Sequence, residues 1–344
     1  MRILVEILHP AHVHFFRNAI EFWKKRGDQV LVLSREKDVA NELLEAYGIE
    51  FESISRLGSS KVSLVGEMLV RDYRMWSRAR AFKPDVLVGI MGVTIVQVGK
   101  LIRKPAIVFY DTENAKVTNR VVYPLAHSVC TPECYAAPVN GKHVRYPSYH
   151  ELAYLHPERF TPDVSVVRSV GLEPDKPYFV LRFVSWQASH DVGESGFDLS
   201  LKRELVALLS ERGRVLISSE NPLPPDLEHL RFMAPVQHMH HVLSFATMLV
   251  GESATMASEA AVLGVPAFYI ADTGRGYTDE QEATFGLVWN FSRRDARAAL
   301  TKISELLDDP KTPELLSKRR ERMLNERVDA TSWLIEYVDS VVRK

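Results

Sequence analysis

The residues with the clearest chemistry lie at 249–266, which read LVGESATMASEAAVLGVP. The pattern predicts an apolar strand, a turn of small residues and then a helix. The first turn of a helix has free backbone N–H groups and carries the positive end of the helix dipole. The start of this helix therefore suits a diphosphate. Ser253 and Thr255 add hydroxyl donors, and Glu259, about one and a half turns into the helix, can accept bonds from ribose hydroxyls. The alternative is that Ser253 only caps the helix and Glu259 is solvated.

Three histidines, His9, His12 and His14, follow the first predicted strand at residues 3–8. Histidine has an ordinary pKa of about 6.5, so it can take a proton from an acceptor hydroxyl, and it can also bind an acceptor or a phosphate. We predict that His12 is catalytic, with a plain hydrogen-bonding role as the alternative. His14 is predicted to begin the first helix.

Two carboxylates, Asp111 and Glu113, follow another predicted strand at residues 106–110. Doubly wound domains place active-site groups at the carboxyl ends of their strands, and side chains two positions apart in an extended segment face the same way. We therefore predict that both are catalytic. The alternative is that Asp111 and Asn114 only organise a loop.

Two arginines are candidates for binding the phosphates of a nucleotide. Arg182 lies in the first strand of the second half of the chain, and Arg275 lies in a glycine-containing loop, TGRGY, that follows a later strand. The glycines of this loop allow the backbone to approach a ligand, and a guanidinium pairs well with phosphate oxygens. An ordinary surface loop is the alternative for Arg275.

Metal and redox chemistry find little support in the sequence. His240 and His241 are adjacent, so they point apart on a helix, and no carboxylate at suitable spacing completes a site. Cys130 and Cys134 are the only two cysteines, too few for a disulfide framework, which suits a reducing cytoplasm. We predict no metal and no cofactor.

Short apolar strands alternate with helices along the chain, and this order positions the candidate side chains. A βαβα order requires parallel strands with helices on both faces of the sheet. The fold class is therefore α/β, with doubly wound, Rossmann-like parallel sheets. The predicted strands lie at 3–8, 29–34, 85–89, 106–110, 178–184, 214–218, 248–250 and 267–270, and the predicted helices at 14–25, 39–47, 199–212, 241–245, 254–263 and 294–307.

The chain of 344 residues is longer than one core usually supports, and two domains of about 150 residues each are expected. A segment rich in proline, at 146–177, interrupts the alternation, which then restarts. The predicted domains are 1–160 and 161–312. A single final helix within 313–344 is predicted to be long enough to pack back on the first domain.

The charge balance of 43 basic and 44 acidic residues argues against nucleic acid as a partner. The apolar run at 1–7 is broken by Glu6 and is too short for a signal peptide or a membrane span, so a cytoplasmic location is expected. Residues 60–83 have an amphipathic pattern with basic residues on one side. We predict a helix that packs one face on the core and exposes its basic face to solvent. The alternative is that this helix makes a peripheral contact with the inner face of an anionic membrane. The sequence is compatible with a homodimer.

Three segments together resemble one protein family. HPAHVHFF at 9–16, YDTENA at 110–115 and YHELAYLHP at 149–157 look like the archaeal and bacterial domain-of-unknown-function family 354, over essentially the whole chain. The resemblance implies the GT-B fold, in which two doubly wound parallel-sheet domains face each other across a cleft. It implies the fold more directly than the reaction.

The segment at 249–266 also resembles the donor-site motifs of two enzyme families, the non-hydrolysing UDP-N-acetylglucosamine 2-epimerases and the lipid-linked muramyl-pentapeptide N-acetylglucosaminyltransferases. In those families the turn contacts the diphosphate and the Glu contacts the ribose. The resemblance therefore implies that Ser253, Ala254, Thr255 and Glu259 bind a nucleotide-sugar, with a UDP-sugar as the expected donor.

The resemblance also bears on the choice between transfer and epimerisation. Glu113 resembles the Glu of the epimerase His-x-Glu-Ala-Gly element, with Asp111 in place of its His. Where the epimerases carry Gly-Asp and His-Arg elements, this chain has GIMGVT at 89–94 and Leu181-Arg182. Sugar transfer needs fewer proton-handling groups, because helix-end amides and a cation can stabilise the departing diphosphate.

These differences favour a glycosyltransferase. The expected reaction moves a sugar from a UDP-sugar to a glycan or a lipid-linked acceptor in the synthesis of cell-surface polysaccharide or glycoconjugate. Two alternatives remain: an epimerase with a rearranged acid/base set, and a non-catalytic nucleotide-sugar binding protein.

Overall fold

A computed structural model describes residues 1–56, 61–184, 198–219 and 221–343, with the backbone alone described at 61–65. The chain divides into two compact units. The first unit comprises Met1–Arg159 together with Val328–Lys344, and the second comprises Phe160–Arg327. Each unit is built around its own parallel sheet, so the α/β class predicted from the sequence is confirmed.

The first unit contains a seven-stranded sheet in the order β3-β2-β1-β4-β5-β6-β7, in which all pairs are parallel. The central strands are almost wholly apolar because helices cover both faces of the sheet. Its strands are β1 Arg2–Ile7, β2 Gln29–Glu36, β3 Glu52–Arg56, β4 Val86–Ile90, β5 Ala106–Phe109, β6 Ser128–Pro132 and β7 His143–Tyr146. Its helices before the second unit are α1 Pro10–Lys25, α2 Ala40–Ala46, α3 Lys61–Phe82, α4 Val93–Ile102, α5 Lys116–Leu125 and α6 Leu152–Leu155.

The second unit contains a five-stranded parallel sheet in the order β12-β11-β10-β8-β9. Its strands are β8 Tyr178–Phe183, β9 Arg214–Ser219, β10 Met248–Gly251, β11 Ala267–Ile270 and β12 Val288–Phe291. Its helices are α7 Val164–Ser169, α8 Leu199–Ser210, α9 Met239–Ser244, α10 Ala254–Leu263, α11 Gly276–Glu280, α12 Ala296–Asp308 and α13 Thr312–Glu326. The last helix of the chain, α14 Ala330–Val342, belongs to the first unit.

The start of α1 differs from the prediction. The helix begins at Pro10 rather than His14, because the Nδ1 atom of His9 accepts a hydrogen bond from Ala11 N over 3.2 Å and proline suits the first helical position. His12 and His14 are therefore helical residues, and their side-chain directions follow the helix rather than a loop.

The prediction of one continuous final helix is wrong. The backbone is extended at Arg327 and at Asp329, which separates α13 from α14. Asp329 starts α14 by accepting from Thr331 N over 3.0 Å, and its carboxylate also accepts from Arg159 Nε over 2.9 Å. This partly buried ion pair holds the chain where it returns to the first unit, and α14 then packs against α1 and α6.

Helix α3 covers most of the predicted amphipathic segment, whose first residue, Ser60, lies outside the described residues. Met75 and Ala79 are buried in the core, as a core-facing helix requires. Leu69 and Tyr73 are exposed. In the parts of the chain that the structure describes, no helix has the length and hydropathy needed to cross a membrane.

A carboxyl group lies inside the first unit, at Glu6 of β1. Neither of its oxygens has a hydrogen-bond partner among the described side chains, and a Cβ atom on Gly92 would lie 2.4 Å from Oε2. Burial raises the pKa of Glu6 to about 7, while the neighbouring charges act in both directions. Those charges belong to Arg71, Asp72, Arg35 and Glu67.

We expect Glu6→Gln to change how the stability of the protein depends on pH. The pKa of Glu6 is raised on folding, so the wild-type protein loses stability as pH rises from the unfolded pKa of this carboxyl through its folded pKa of about 7. Relative to the variant, the free energy of unfolding of the wild type should fall by about 2 kcal/mol between pH 5 and pH 8. Urea denaturation measures this free energy of unfolding, and the Glu36→Gln variant, at an exposed position, is the control. Parallel pH profiles for wild type and Glu6→Gln would contradict the expectation.

Candidate functional site

The turn between β10 and α10 is held firmly in the second unit. A Cβ atom on Gly251 would lie 2.5 Å from the carbonyl oxygen of Arg182, so only glycine allows β10 to approach β8 this closely. The next residue, Glu252, is buried, and its Oε2 accepts from Val184 N over 3.0 Å. The Glu252 carboxylate thus tethers the end of β8 to the turn.

The predicted phosphate-binding residues form the amino end of α10. Ser253 caps the helix, and its Oγ accepts from Met256 N over 3.3 Å. Ala254 and Thr255 are the first two helical residues, and all three side chains are partly exposed. Ser253 therefore caps the helix through its oxygen, and its hydroxyl hydrogen can still donate to an anion. The first-turn amides of α10 point toward the same end of the helix.

Glu259 lies inside the unit rather than in solvent, and a histidine accompanies it. Its Oε1 lies 2.9 Å from Nε2 of His240 on α9, and both side chains are buried. A carboxylate only accepts hydrogen bonds, so His240 Nε2 donates. The description of Glu259 as a solvated helix residue is thereby excluded.

The two arginines lie in different places. Arg182 pairs with Gly251 across the sheet, which places it beside the turn before α10, and its Nη1 donates to Ser218 Oγ over 3.0 Å. Arg275 is buried at the start of α11, and its Nη1 donates to Gly274 O over 2.9 Å. Arg182 is therefore the arginine that the sheet register places at the turn.

In the first unit, His12 is held as a neutral hydrogen-bond donor. Burial lowers its pKa well below the usual value, and its Nδ1 accepts from Leu8 N over 3.2 Å. The ring hydrogen of the neutral imidazole is therefore on Nε2. This arrangement suits His12 for donating a hydrogen bond to a ligand oxygen better than for taking a proton.

Asp111 pairs with His150, a residue that the sequence did not single out. The His150 Nδ1 atom lies 3.2 Å from Asp111 Oδ2, and Asp111 Oδ1 accepts from the Thr112 hydroxyl over 3.0 Å. The side chain of Asp111 is 17% exposed and that of His150 is 7% exposed. Asp111 is thus the member of the pair that a ligand reaches more easily, with His150 behind it.

The His150 ring packs against the ring of Phe15, with the centroids 4.4 Å apart. Asp111 and His150 both influence the pKa of His12, in opposite directions. These three side chains therefore form one electrostatic group near the carboxyl ends of β1 and β5.

Glu113 lies apart from that group. The chain turns at Glu113 and Asn114, so the extended segment that would align it with Asp111 ends at Thr112. The Glu113 Oε1 atom accepts a long hydrogen bond of 3.5 Å from Ala136 N. The two predicted catalytic carboxylates therefore contact different segments of the unit.

Within the described residues, no group of three or more His, Cys, Asp or Glu side chains is arranged to hold a metal ion. His240 donates to Glu259, while Nδ1 of the adjacent His241 accepts from Asp163 N over 3.0 Å. The two histidines thus point to different elements.

Comparisons with known proteins agree with this architecture. A family model described as "Protein of unknown function (DUF354)" matches residues 1–141. An uncharacterized protein of Methanocaldococcus jannaschii, MJ0665, is 21% identical over 284 residues, which cover 77% of this chain and 80% of the relative.

Two solved structures show the fold over nearly the whole chain. The UDP-GlcNAc 2-epimerase from Neisseria meningitidis bound to UDP-GlcNAc has a TM-score of 0.71 at 11% identity, covering 99% of this chain and 100% of the epimerase. The MurG structure from Acinetobacter baumannii has a TM-score of 0.59 at 15% identity, covering 99% of this chain and 100% of that chain. The resemblance and fold class inferred from the sequence are confirmed: the first 141 residues match the DUF354 family, and the chain has the GT-B fold.

Proposed function

We propose that this protein is a glycosyltransferase that moves a sugar from a UDP-sugar to a glycan or lipid-linked acceptor, in the synthesis of cell-surface polysaccharide or glycoconjugate. The observation that carries the proposal is the amino end of α10, where a capped first turn lies beside Arg182 and leads to the buried carboxylate of Glu259. This arrangement fits a diphosphate followed by a ribose. Proteins of the same fold include enzymes that use nucleotide-sugars, and the Neisseria epimerase is bound to UDP-GlcNAc.

In the proposed reaction the second unit binds the donor. The amides of the first turn of α10 and the guanidinium of Arg182 stabilise the negative charge that the diphosphate gains when the bond from its oxygen to the sugar C1 breaks. Arg275 is a second candidate cation for the same charge. Protein groups thus supply the charge stabilisation, and the reaction as proposed requires no metal.

The first unit supplies the proton acceptor. The acceptor hydroxyl forms the new bond to C1 and gives its proton to the Asp111 carboxylate, whose Oδ2 lies 3.2 Å from His150 Nδ1. His12 Nε2–H donates a hydrogen bond to an oxygen of the reacting sugar or acceptor. Proton acceptance thus belongs to Asp111 rather than to His12 in this proposal.

Epimerisation is the second candidate, and the Neisseria epimerase has a higher TM-score than the MurG structure. The loop at 89–94 has no carboxylate of its own. The carboxyl that lies against this loop, that of Glu6, is fully buried and so cannot reach a bound sugar. Within the described residues, the loop at 89–94 thus has no accessible carboxylate to match the epimerase Gly-Asp element, which favours transfer.

Incubation with UDP-N-acetylglucosamine alone separates the candidate functions. We expect no conversion to the manno epimer, and release of UDP only when a hydroxyl-bearing acceptor extract from cell envelopes is added. Coupled UDP detection measures the release of UDP, and chromatography of the nucleotide-sugars measures conversion to the manno epimer. Appearance of the manno epimer would establish epimerisation, and tight binding without turnover under any acceptor would establish a binding protein.

A further inference from the structure

The hydrogen bond between His240 and Glu259 joins two elements that are separate in the chain. His240 lies on α9 and Glu259 lies 19 residues later, inside α10, with Oε1 and Nε2 2.9 Å apart. The exposed fractions are 4% for His240 and 5% for Glu259. The ring of Phe160 approaches His240 edge-on, with the centroids 6.3 Å apart.

Burying a carboxylate is unfavourable unless hydrogen bonds replace its water. Glu259 lies in the second turn of α10, too far along the helix to use the first-turn amides. The bond from His240 is charge-assisted and directional, so it stabilises the carboxylate and holds it in one rotamer. A helix residue selected only for packing would not need this donor.

We propose that His240 is a positioning residue that orients the Glu259 carboxylate toward the two hydroxyls of a ribose, making this site selective for ribonucleotides over 2′-deoxyribonucleotides. The proposal rests on the proposed function, in which Glu259 binds the ribose. His240 donates to Oε1 and thereby directs the remaining lone pairs of the carboxylate. Two adjacent ribose hydroxyls then donate to a carboxylate of fixed orientation, whereas a 2′-deoxyribose offers only one hydroxyl and so forms one charge-assisted hydrogen bond fewer.

Nucleotide titrations test the proposal on the full chain. Isothermal titration calorimetry compares UDP, ADP and GDP with their 2′-deoxy counterparts, and the base that binds most tightly is used for the variants. The variants are His240→Leu, which removes the donor, and His240→Gln, whose amide N–H replaces it. The matched control is His241→Leu on the same helix, because His241 bonds Asp163 N instead of Glu259.

Wild-type protein is expected to bind the ribonucleotide at least tenfold more tightly than the deoxynucleotide, the effect of one charge-assisted hydrogen bond. His240→Leu should remove most of this preference by weakening only the ribonucleotide, by about tenfold. His240→Gln should restore the preference for the ribonucleotide, and His241→Leu should keep the wild-type ratio of the two dissociation constants. Thermal unfolding confirms that each variant is folded.

Two outcomes would overturn the inference while leaving the proposed function in place. One is an equal loss for both nucleotides in His240→Leu and His240→Gln, which would mean that His240 only packs. The other is an unchanged preference in His240→Leu while Glu259→Ala abolishes it. If the wild type binds no nucleotide of the panel, both the inference and the proposed function fail.

Discussion

Asp111→Asn is expected to lower the turnover number of sugar transfer by about 10²- to 10⁴-fold, the usual contribution of a general base. The substitution keeps the shape of the side chain, and the amide oxygen can still lie beside His150 Nδ1, which is 3.2 Å from Asp111 Oδ2 in the wild type. What it removes is the capacity to take a proton at neutral pH. The KM for the donor should change little, because the proposed donor site lies in the second unit.

Steady-state kinetics of UDP release, with saturating donor and acceptor, measures the effect. Glu113→Gln is the matched control, since it neutralises the neighbouring carboxylate, which contacts Ala136 N instead of His150. We expect Glu113→Gln to retain turnover within about tenfold of the wild type. A large loss in Glu113→Gln together with a small one in Asp111→Asn would assign the base to Glu113 and reject our assignment.

Glu259→Ala is expected to weaken UDP binding by about 1.5–3 kcal/mol, the effect of losing hydrogen bonds to a charged group. The loss corresponds to a Kd about 10- to 150-fold higher. The physical reason is that Glu259 is buried and held by His240, so the substitution removes an acceptor of fixed orientation from the proposed ribose site. Isothermal titration calorimetry with UDP measures the affinity.

A second carboxylate of the same unit provides the control for that experiment. Glu305 on α12 is exposed, and its Oε2 lies 2.8 Å from Nζ of Lys302, so Glu305→Ala should bind UDP as the wild type does. Circular dichroism and thermal unfolding establish that Glu259→Ala is folded. Unchanged UDP affinity in a folded Glu259→Ala protein would remove the ribose-binding role.

Some elements could be placed from the sequence because local signals suffice. The helix predicted at 254–263 has the same bounds in the structure, since Ser253 caps its start and Gly264, in the left-handed conformation, ends it. Strand β11 likewise matches its prediction. Its four residues are all buried and follow Pro266, which cannot continue the preceding helix.

Other elements could not be predicted from the sequence. In some, the intrinsic propensity of the residues disagrees with the secondary structure that they adopt, and in others the propensity for any one secondary structure is weak. Helix α4 has the composition VTIVQVGKLI, whose β-branched residues favour strands, yet it is helical because it packs between α3 and α5. Edge strands β7 and β12 are only four residues long and carry polar or half-buried side chains. The break between α13 and α14 depends on the ion pair of Asp329 with Arg159, far earlier in the chain.

By itself the sequence determined the fold class and the turn at the amino end of α10, because strand–helix alternation, caps and glycines act over a few neighbouring residues. Only the tertiary structure decided which side chains act together. Asp111 meets His150, and Glu259 meets His240, because separate segments pack side by side around each sheet. Such pairings depend on distances across the fold, and residue spacing along a chain does not encode them.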